Sequence, residues 1–235
     1  MKNIIFFFLL AVSVLSVAQE NKKSSYMPQM MHGIGVTFQS FEGLDNRIAS
    51  FPQYKELREH MATLHLGWFK EHNQVVSGVG FTAGTSMSGD KHKRSSNLRF
   101  YGFSADIGYD VLKNQFIMLY PIAGLGYERY QARFFKDNSS VDFNSVLQSA
   151  TEQGSLRPVD FKNAFLTYRL GAGFALKNRR NPSHSIGVQA GYISSFKDHD
   201  WKTNENQELK NAPVDGLSRV YINLTFMCQP KFKKG

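Results

Sequence analysis

Three groups of residues in this chain have types and spacings that could carry chemistry. The first is a set of glycines two positions apart: Gly33-Ile34-Gly35, Gly78-Val79-Gly80, Gly124-Leu125-Gly126 and Gly171-Ala172-Gly173. Closely spaced glycines cradle a phosphate when they follow a strand and open a helix. No βαβ unit surrounds these glycines, so the dinucleotide reading falls away and no cofactor is expected. The second group is Asp106, Asp110, Glu128, Arg169 and Arg219, charges set among small and apolar neighbours. Carboxylates and guanidinium groups held away from water must pair, because an unpaired buried charge is costly. The third group is the seven histidines. His60 and His65 cannot share a strand face, and His199, between Asp198 and Asp200, has no Cys or further His nearby. That is not metal-ligand spacing, so neither a metal site nor a catalytic residue is expected.

The elements that position these residues are strands. Each glycine pair lies in a run that alternates small or polar with large apolar residues, and period-two alternation marks strands with two unlike faces. Eight such runs are legible: 32–41, 61–69, 75–85, 98–111, 116–134, 164–176, 185–196 and 217–227. One face carries Ile34, Val36, Phe38, Leu64, Leu66, Trp68, Phe103, Leu125, Leu166, Val188, Ile222 and Leu224. The other carries the glycines with Thr37, Gln39, His65, Asp106, Glu128, Arg169, Arg219 and Asn223. Such strands suit a barrel that is apolar outside and narrow and polar inside. A soluble ligand-carrying barrel would invert the two faces. Pro121 falls on the apolar face of the fifth run and calls for a bulge there, since proline removes a ladder donor.

The connections alternate in length. Residues 70–74, 113–115 and 178–182 are short turns, whereas 42–60, 86–97, 135–163 and 197–216 are long. With the N-terminus on the inner side, every long connection falls on the outer side, the habit of outer-membrane barrels. The runs match the roughly 9–11 residues that a tilted strand needs to cross a bilayer. A mean hydropathy of −0.35 does not argue against this, because alternate residues cancel in a barrel.

Residues 1–18 read as a cleaved signal peptide. Lys2 precedes an apolar stretch from Ile4 to Val12, and the small residues Ser16-Val17-Ala18 stand before Gln19. The net charge of +9 and the pI of 9.6 would on their own suggest a nucleic-acid partner, a class that export removes. The single cysteine, Cys228, cannot form an internal disulfide.

On the leader, the strand rhythm and the closing segment Tyr221-Ile222-Asn223-Leu224-Thr225-Phe226, the chain resembles the small outer-membrane β-barrel superfamily of Gram-negative bacteria. That superfamily groups the outer-membrane protein A and X transmembrane domains with the "outer membrane protein beta-barrel domain" families, and the resemblance covers residues 31–226. It implies an all-β, eight-stranded antiparallel up-and-down transmembrane barrel with short periplasmic turns and long extracellular loops. It also implies location in the outer membrane and assembly by the barrel-insertion machinery. The closing strands of such proteins often end in an aromatic at the chain terminus, whereas here Phe226 is followed by nine more residues. The expected organisation is a signal peptide over 1–18, a periplasmic segment over 19–31, the barrel over 32–228 and a basic tail over 229–235. Lipid A-modifying barrels use His and Ser near the membrane surface, but His184-Ser185 matches no such motif.

The implied role is structural, or recognition and adhesion through the loops. A narrow porin-like channel is the alternative, followed by a lipid-modifying enzyme and a secreted soluble barrel. Eight strands leave room inside only for side chains. The charges Asp106, Asp110, Glu128, Arg169 and Arg219 therefore form either a salt-bridged plug or a gate, with Asp106 near the height of Arg169 and both Glu128 and Arg219 in the outer half. Lys91, Lys93 and Arg94 make the second long loop basic, which suits contact with lipopolysaccharide phosphates or simple solubility. Partners are thus outer-membrane lipids, lipopolysaccharide and an extracellular ligand of the loops. Tyr54, Leu57 and Met61 sit at helical spacing after Pro52, and Val141, Phe143, Val146 and Leu147 follow the cap candidates Asn138-Ser139-Ser140. Both segments are expected to fold over the barrel mouth as lids, with binding of a partner as the other reading.

Overall fold

Alternation along the chain becomes one continuous ladder in the computed structural model, which describes residues 28–90, 93–178, 184–203 and 207–229. The leader, residues 179–183 (most of the connection expected at 178–182), Lys91 and the residues from Pro230 onward lie outside the described residues. Eight long strands form the barrel: β1 (Gln29–Gln39), β2 (His60–His72), β3 (Val75–Gly89), β4 (Ser95–Tyr109), β5 (Ile117–Phe135), β6 (Val159–Lys177), β7 (His184–Ser195) and β10 (Ser218–Cys228). Each pairs antiparallel with its neighbours in chain order, and β1 closes on β10 from Met30↔Cys228 to Gln39↔Arg219. The short strands β8 (His199–Asp200) and β9 (Val214–Asp215) form a ribbon within the last loop.

The two faces separate as the pattern requires. Ile34, Phe103, Leu125, Leu166 and Ile222 are exposed on the outer wall, while Thr37, His65, Thr167, Arg169 and Asn223 are buried inside. The glycines serve as seats for the long inward side chains. A Cβ on Gly173 would run into the Tyr120 ring, one on Gly84 into Phe100, one on Gly124 into Asp106 and one on Gly35 into Asn223. At these positions the narrow bore is filled by a bulky inward residue lying over a neighbour with no side chain.

Several expected boundaries are displaced. The connection at 86–97 is mostly strand: β3 and β4 continue as a hairpin to Gly89 and Ser95, beyond which Asp90 N donates to Arg94 O. Its residues Ser86, Ser96, Asn97 and Leu98 are buried, and the Asn97 amide donates to Ser86 O across the pair, so the pairing is worth extending. The β2–β3 connection shrinks to Asn73-Gln74, both at positive φ, as a two-residue hairpin turn demands. Pro121 needs no bulge. It pairs with Ala172 in regular register, and the ladder to β4 stops one residue away at Gly108↔Ile122, where the missing donor costs nothing.

The helices in the loops also differ from expectation. In the first loop the helix is α1 (Glu42–Ala49), ahead of Pro52, and Tyr54 and Leu57 lie in irregular chain beyond it. Proline is common just past a helix C-terminus, so Pro52 marks the end of a helix here and not the start of one. In the third loop α2 (Phe143–Gln148) is capped by Asp142, whose Oδ1 accepts from the backbone N–H of Asn144 and Ser145. A further turn, α3 (Ala150–Ser155), is capped by Ser149. Of the two segments expected as lids, the first acts as one: Leu44 and Ile48 of α1 are buried, with Tyr54 and Leu57 packed beside them. Phe143 and Leu147 of α2 stay 74% and 64% exposed.

Asp45 ties the lid together by accepting a hydrogen bond from Leu57 N at 3.1 Å. Burial pushes its carboxyl up from an ordinary 3.8 to about 6, opposed by that hydrogen bond and reinforced by the neighbouring carboxylates of Glu56, Asp215 and Glu59. A carboxyl raised on folding stabilises the lid fully below its unfolded value, and the contribution is lost as pH rises through about 6. Amide exchange in α1, corrected for its intrinsic rate, should therefore be slower at mildly acidic than at neutral pH. Asp45→Asn should remove that difference while keeping the acceptor for Leu57. The glycine seats predict that Gly173→Ala costs about 1–3 kcal/mol in urea unfolding through overpacking. Gly78→Ala, whose new Cβ meets only Trp68 O at 3.3 Å, should cost clearly less.

Candidate functional site

The inward face of β5 reads as a section through the whole lumen. From the turn end it presents Met118, Tyr120 and Ile122, then Gly124, Gly126 and Glu128, then Tyr130, Ala132 and Phe134. Neighbouring strands follow the same three zones. At the turn end Met31, Phe69, Val76, Met118, Tyr120, Ile122, Ala175 and Met227 form one buried apolar cluster. Gln189 Nε2 donates to Tyr120 Oη at 2.9 Å and caps this cluster on its inner side.

The middle zone is ionic. Arg169 Nη1 lies 3.1 Å from both Asp106 Oδ2 and Ser104 Oγ, and its guanidinium stands 4.8 Å from the centre of the Tyr221 ring. Arg219 Nη2 donates to Glu128 Oε1 at 2.5 Å, and the other carboxylate oxygen accepts from Tyr130 Oη at 2.8 Å. The Arg219 guanidinium stacks 4.3 Å from the centre of Phe100, so each cation has both a carboxylate and an aromatic face. Arg169 on β6 reaches past Gly124 of β5 to Asp106 on β4, and Arg219 on β10 reaches Glu128 on β5, three strands round the barrel, so the two pairs tie strands that are not neighbours. His65 Nδ1 lies 2.8 Å from Thr82 Oγ1. Between the pairs, bounded by Thr37, Thr63, Thr167 and Asn223, lies a cavity of about 20 Å³. That is room for about one water molecule.

Above the ions the lumen becomes aromatic. Phe41 meets Tyr130, Trp201 and Phe165 with ring centres 5.1, 5.2 and 6.1 Å apart. The lid helix α1 closes over them. Its N-cap residue Phe41 offers no side-chain cap, and Asp215 from the last loop takes that place. Asp215 accepts from Gly43 N at 2.7 Å, from Leu44 N at 3.0 Å and from Trp201 Nε1 at 2.7 Å. A carboxylate at a helix N-terminus meets both the free N–H groups and the positive end of the dipole.

Of the five charges expected in the lumen, four meet in the pairs above. Asp110 stands apart, buried at the turn end. It accepts from Leu112 N and Leu119 N, and so caps the β4–β5 turn instead of taking part in the ionic layer. At the hairpin tip Lys93 is exposed, and Lys91 lies outside the described residues. The Arg94 guanidinium is engaged inside the chain, by Asp90 at 2.7 Å and by the Pro52 carbonyl at 2.6 Å. It fastens the first loop to the hairpin, aided by Ser96 Oγ donating to Glu56 O. Among the described residues no three His, Cys, Asp or Glu side chains converge as metal ligands would.

Sequence reasoning missed the two apolar plugs and the Asp215 clasp. The plugs had a signal: at both ends of β5 the inward positions change from glycine to Met, Tyr and Phe. The clasp had none, since Asp215 and Gly43 are 172 residues apart in otherwise irregular loops.

Comparison with known proteins agrees with this architecture. The model of the outer membrane protein beta-barrel domain family matches residues 4–217. A search of curated proteins finds none that matches the chain. Among solved structures, the chain is similar to the attachment invasion locus protein Ail of Yersinia pestis in complex with the heparin analogue sucrose octasulfate, at 14% identity over 86% of this chain and 99% of that one, with a TM-score of 0.46. It is similar to neisserial surface protein A at 10% identity, covering 89% and 100% of the two chains, with a TM-score of 0.48. It is similar to a major outer membrane protein of Thermus thermophilus at 12% identity, covering 85% and 98%, with a TM-score of 0.49. With the family model spanning most of its length and an eight-stranded closed barrel as its fold, the chain belongs to the outer membrane protein beta-barrel domain family.

Proposed function

We propose that this protein is a closed outer-membrane barrel that carries no solute through its lumen and acts through its outer surface, as a structural element and as a scaffold for recognition or adhesion by its loops. One observation carries this reading: an ion-paired layer with room for about one water lies between two buried apolar plugs. An ion crossing that path would have to shed its hydration shell in front of Tyr120 and again in front of Phe41 and Tyr130. Asp106–Arg169 and Glu128–Arg219 act in this reading as a fixed brace across the bore and not as a gate. Loop-mediated recognition draws support from α2, where Phe143 and Leu147 face outward without packing on the barrel. The leader and its cleavage before Gln19 are part of the same proposal, as the export route such a barrel requires.

Reconstituted in planar bilayers, the protein should give no sustained openings above background, and steady single-channel currents would overturn the closed reading in favour of the narrow channel. The brace is tested by stability. Glu128→Ala should lower the unfolding free energy in urea by about 3–5 kcal/mol, because it strands Arg219 as a buried unpaired charge. Replacing both partners with methionine should recover most of that loss. A double variant as unstable as the single one would show that the pair is not a unit.

A further inference from the structure

The outer wall of the barrel carries two arginines, Arg99 and Arg129, that take no part in the lumen network, with Lys162 beside them. On the lipid-facing side of β4, β5 and β6 the apolar positions end in the same register. Tyr101 is followed by Arg99, Tyr127 by Arg129, and Ala164 by Lys162, going towards the loop end. Cross-strand pairing sets Arg99, Gln131 and Lys162 in one row, with Arg129 one step below between Tyr101 and Ala164. Strand spacing makes this group about 10 Å wide and about 7 Å deep. Asp160, the nearby carboxylate on the same face, is taken by Arg133 at 3.3 Å and by Gln131 at 3.0 Å. Among the described residues neither Arg99 nor Arg129 has an ion-pair partner.

The cluster is also confined to one part of the circumference. At the loop ends of the other strands the outward positions are His60 on β2, Thr85 on β3, Ser194 on β7 and Ser218 on β10. General solubility would place cations on every side. Cations gathered on three adjacent strands, directly above an aromatic and aliphatic wall of Tyr101, Phe103, Tyr127 and Leu166, have the chemistry of a lipid site. The wall receives acyl chains, and two guanidinium groups meet an anionic oxygen cluster through charge-assisted, bidentate hydrogen bonds.

We propose that Arg99, Arg129 and Lys162, with Gln131, form a binding site for the phosphate-bearing headgroup of an outer-leaflet lipid whose chains lie along β4–β6. The proposal rests on the outer-membrane reading with the loop end facing outward. It also moves the contact with lipopolysaccharide phosphates from the hairpin tip to the barrel wall.

The test uses the full mature protein folded in detergent micelles, with bisphosphorylated lipid A as probe and native mass spectrometry counting retained lipid. Wild type should retain it, and the chemically dephosphorylated lipid should be retained about tenfold less, the size of one lost charge-assisted bond. The double variant Arg99→Gln and Arg129→Gln should lose retention to the same extent. Lys136→Gln, beyond the cluster, should bind as wild type. Heat-modifiable gel migration and circular dichroism confirm that each variant is a folded barrel, so loss of binding is separated from loss of fold. Unchanged retention by the double variant, or equal retention of the dephosphorylated lipid, overturns the site while leaving the closed-barrel reading intact. Displacement of lipid A by millimolar glucosamine phosphate at equal affinity overturns the lipid assignment in favour of a soluble phosphate.

Discussion

The ladder between β1 and β10 is the constraint on which the rest of the structure depends. In a hydrocarbon layer a free strand edge leaves a row of unsatisfied backbone groups, so the sheet must close or fail to enter. The ten register pairs from Met30↔Cys228 to Gln39↔Arg219 provide that closure. Closing after eight strands fixes a bore only wide enough for side chains. The interior then follows from packing a narrow tube: glycines beside Tyr120 and Phe100, arginines paired with carboxylates on strands that are not neighbours, and apolar residues at its two ends.

The strength of the interior comes from how its polar groups are grouped. Arg169 and Arg219 each combine a carboxylate with a ring face, and Arg169 adds the Ser104 hydroxyl, which is what makes a buried charge tolerable. Sequestering both pairs between Tyr120 and Tyr130 lowers the local dielectric and strengthens them. In the closed reading proposed above, the same sequestration shuts the lumen. Stability and closure are in that reading one property, and a barrel so filled varies outside, in its loops and on its lipid-facing wall.

The strands and their faces were legible in the sequence because a membrane barrel obeys a rule of period two with few exceptions. Phe103 and Asp106, three residues apart on β4, fall on opposite faces for that reason alone. The lumen charges were legible as a set, but Asp110 was not separable from them. It sits on the same alternation and differs only in lying where the strand has already ended. The plugs were obscured because large apolar residues on an inward position look like noise in an otherwise clean alternation. Loop structure was least legible. A helix in a long loop is decided by what caps and covers it, and α1 is capped by Asp215 from the other end of the chain.

That last contact has a consequence for the order of assembly. Asp215 and Gly43 flank the two strands that meet last around the sheet, and 172 residues separate them. Before closure the loop linking them is nearly the whole chain, so its entropy opposes the contact. Once β1 has paired with β10 the two groups are neighbours, and the carboxylate finds the helix end at little further entropic expense. The lid is therefore a dependent of the seam: it orders only above a finished cylinder, and an ordered α1 certifies from the outside that the barrel beneath it is complete.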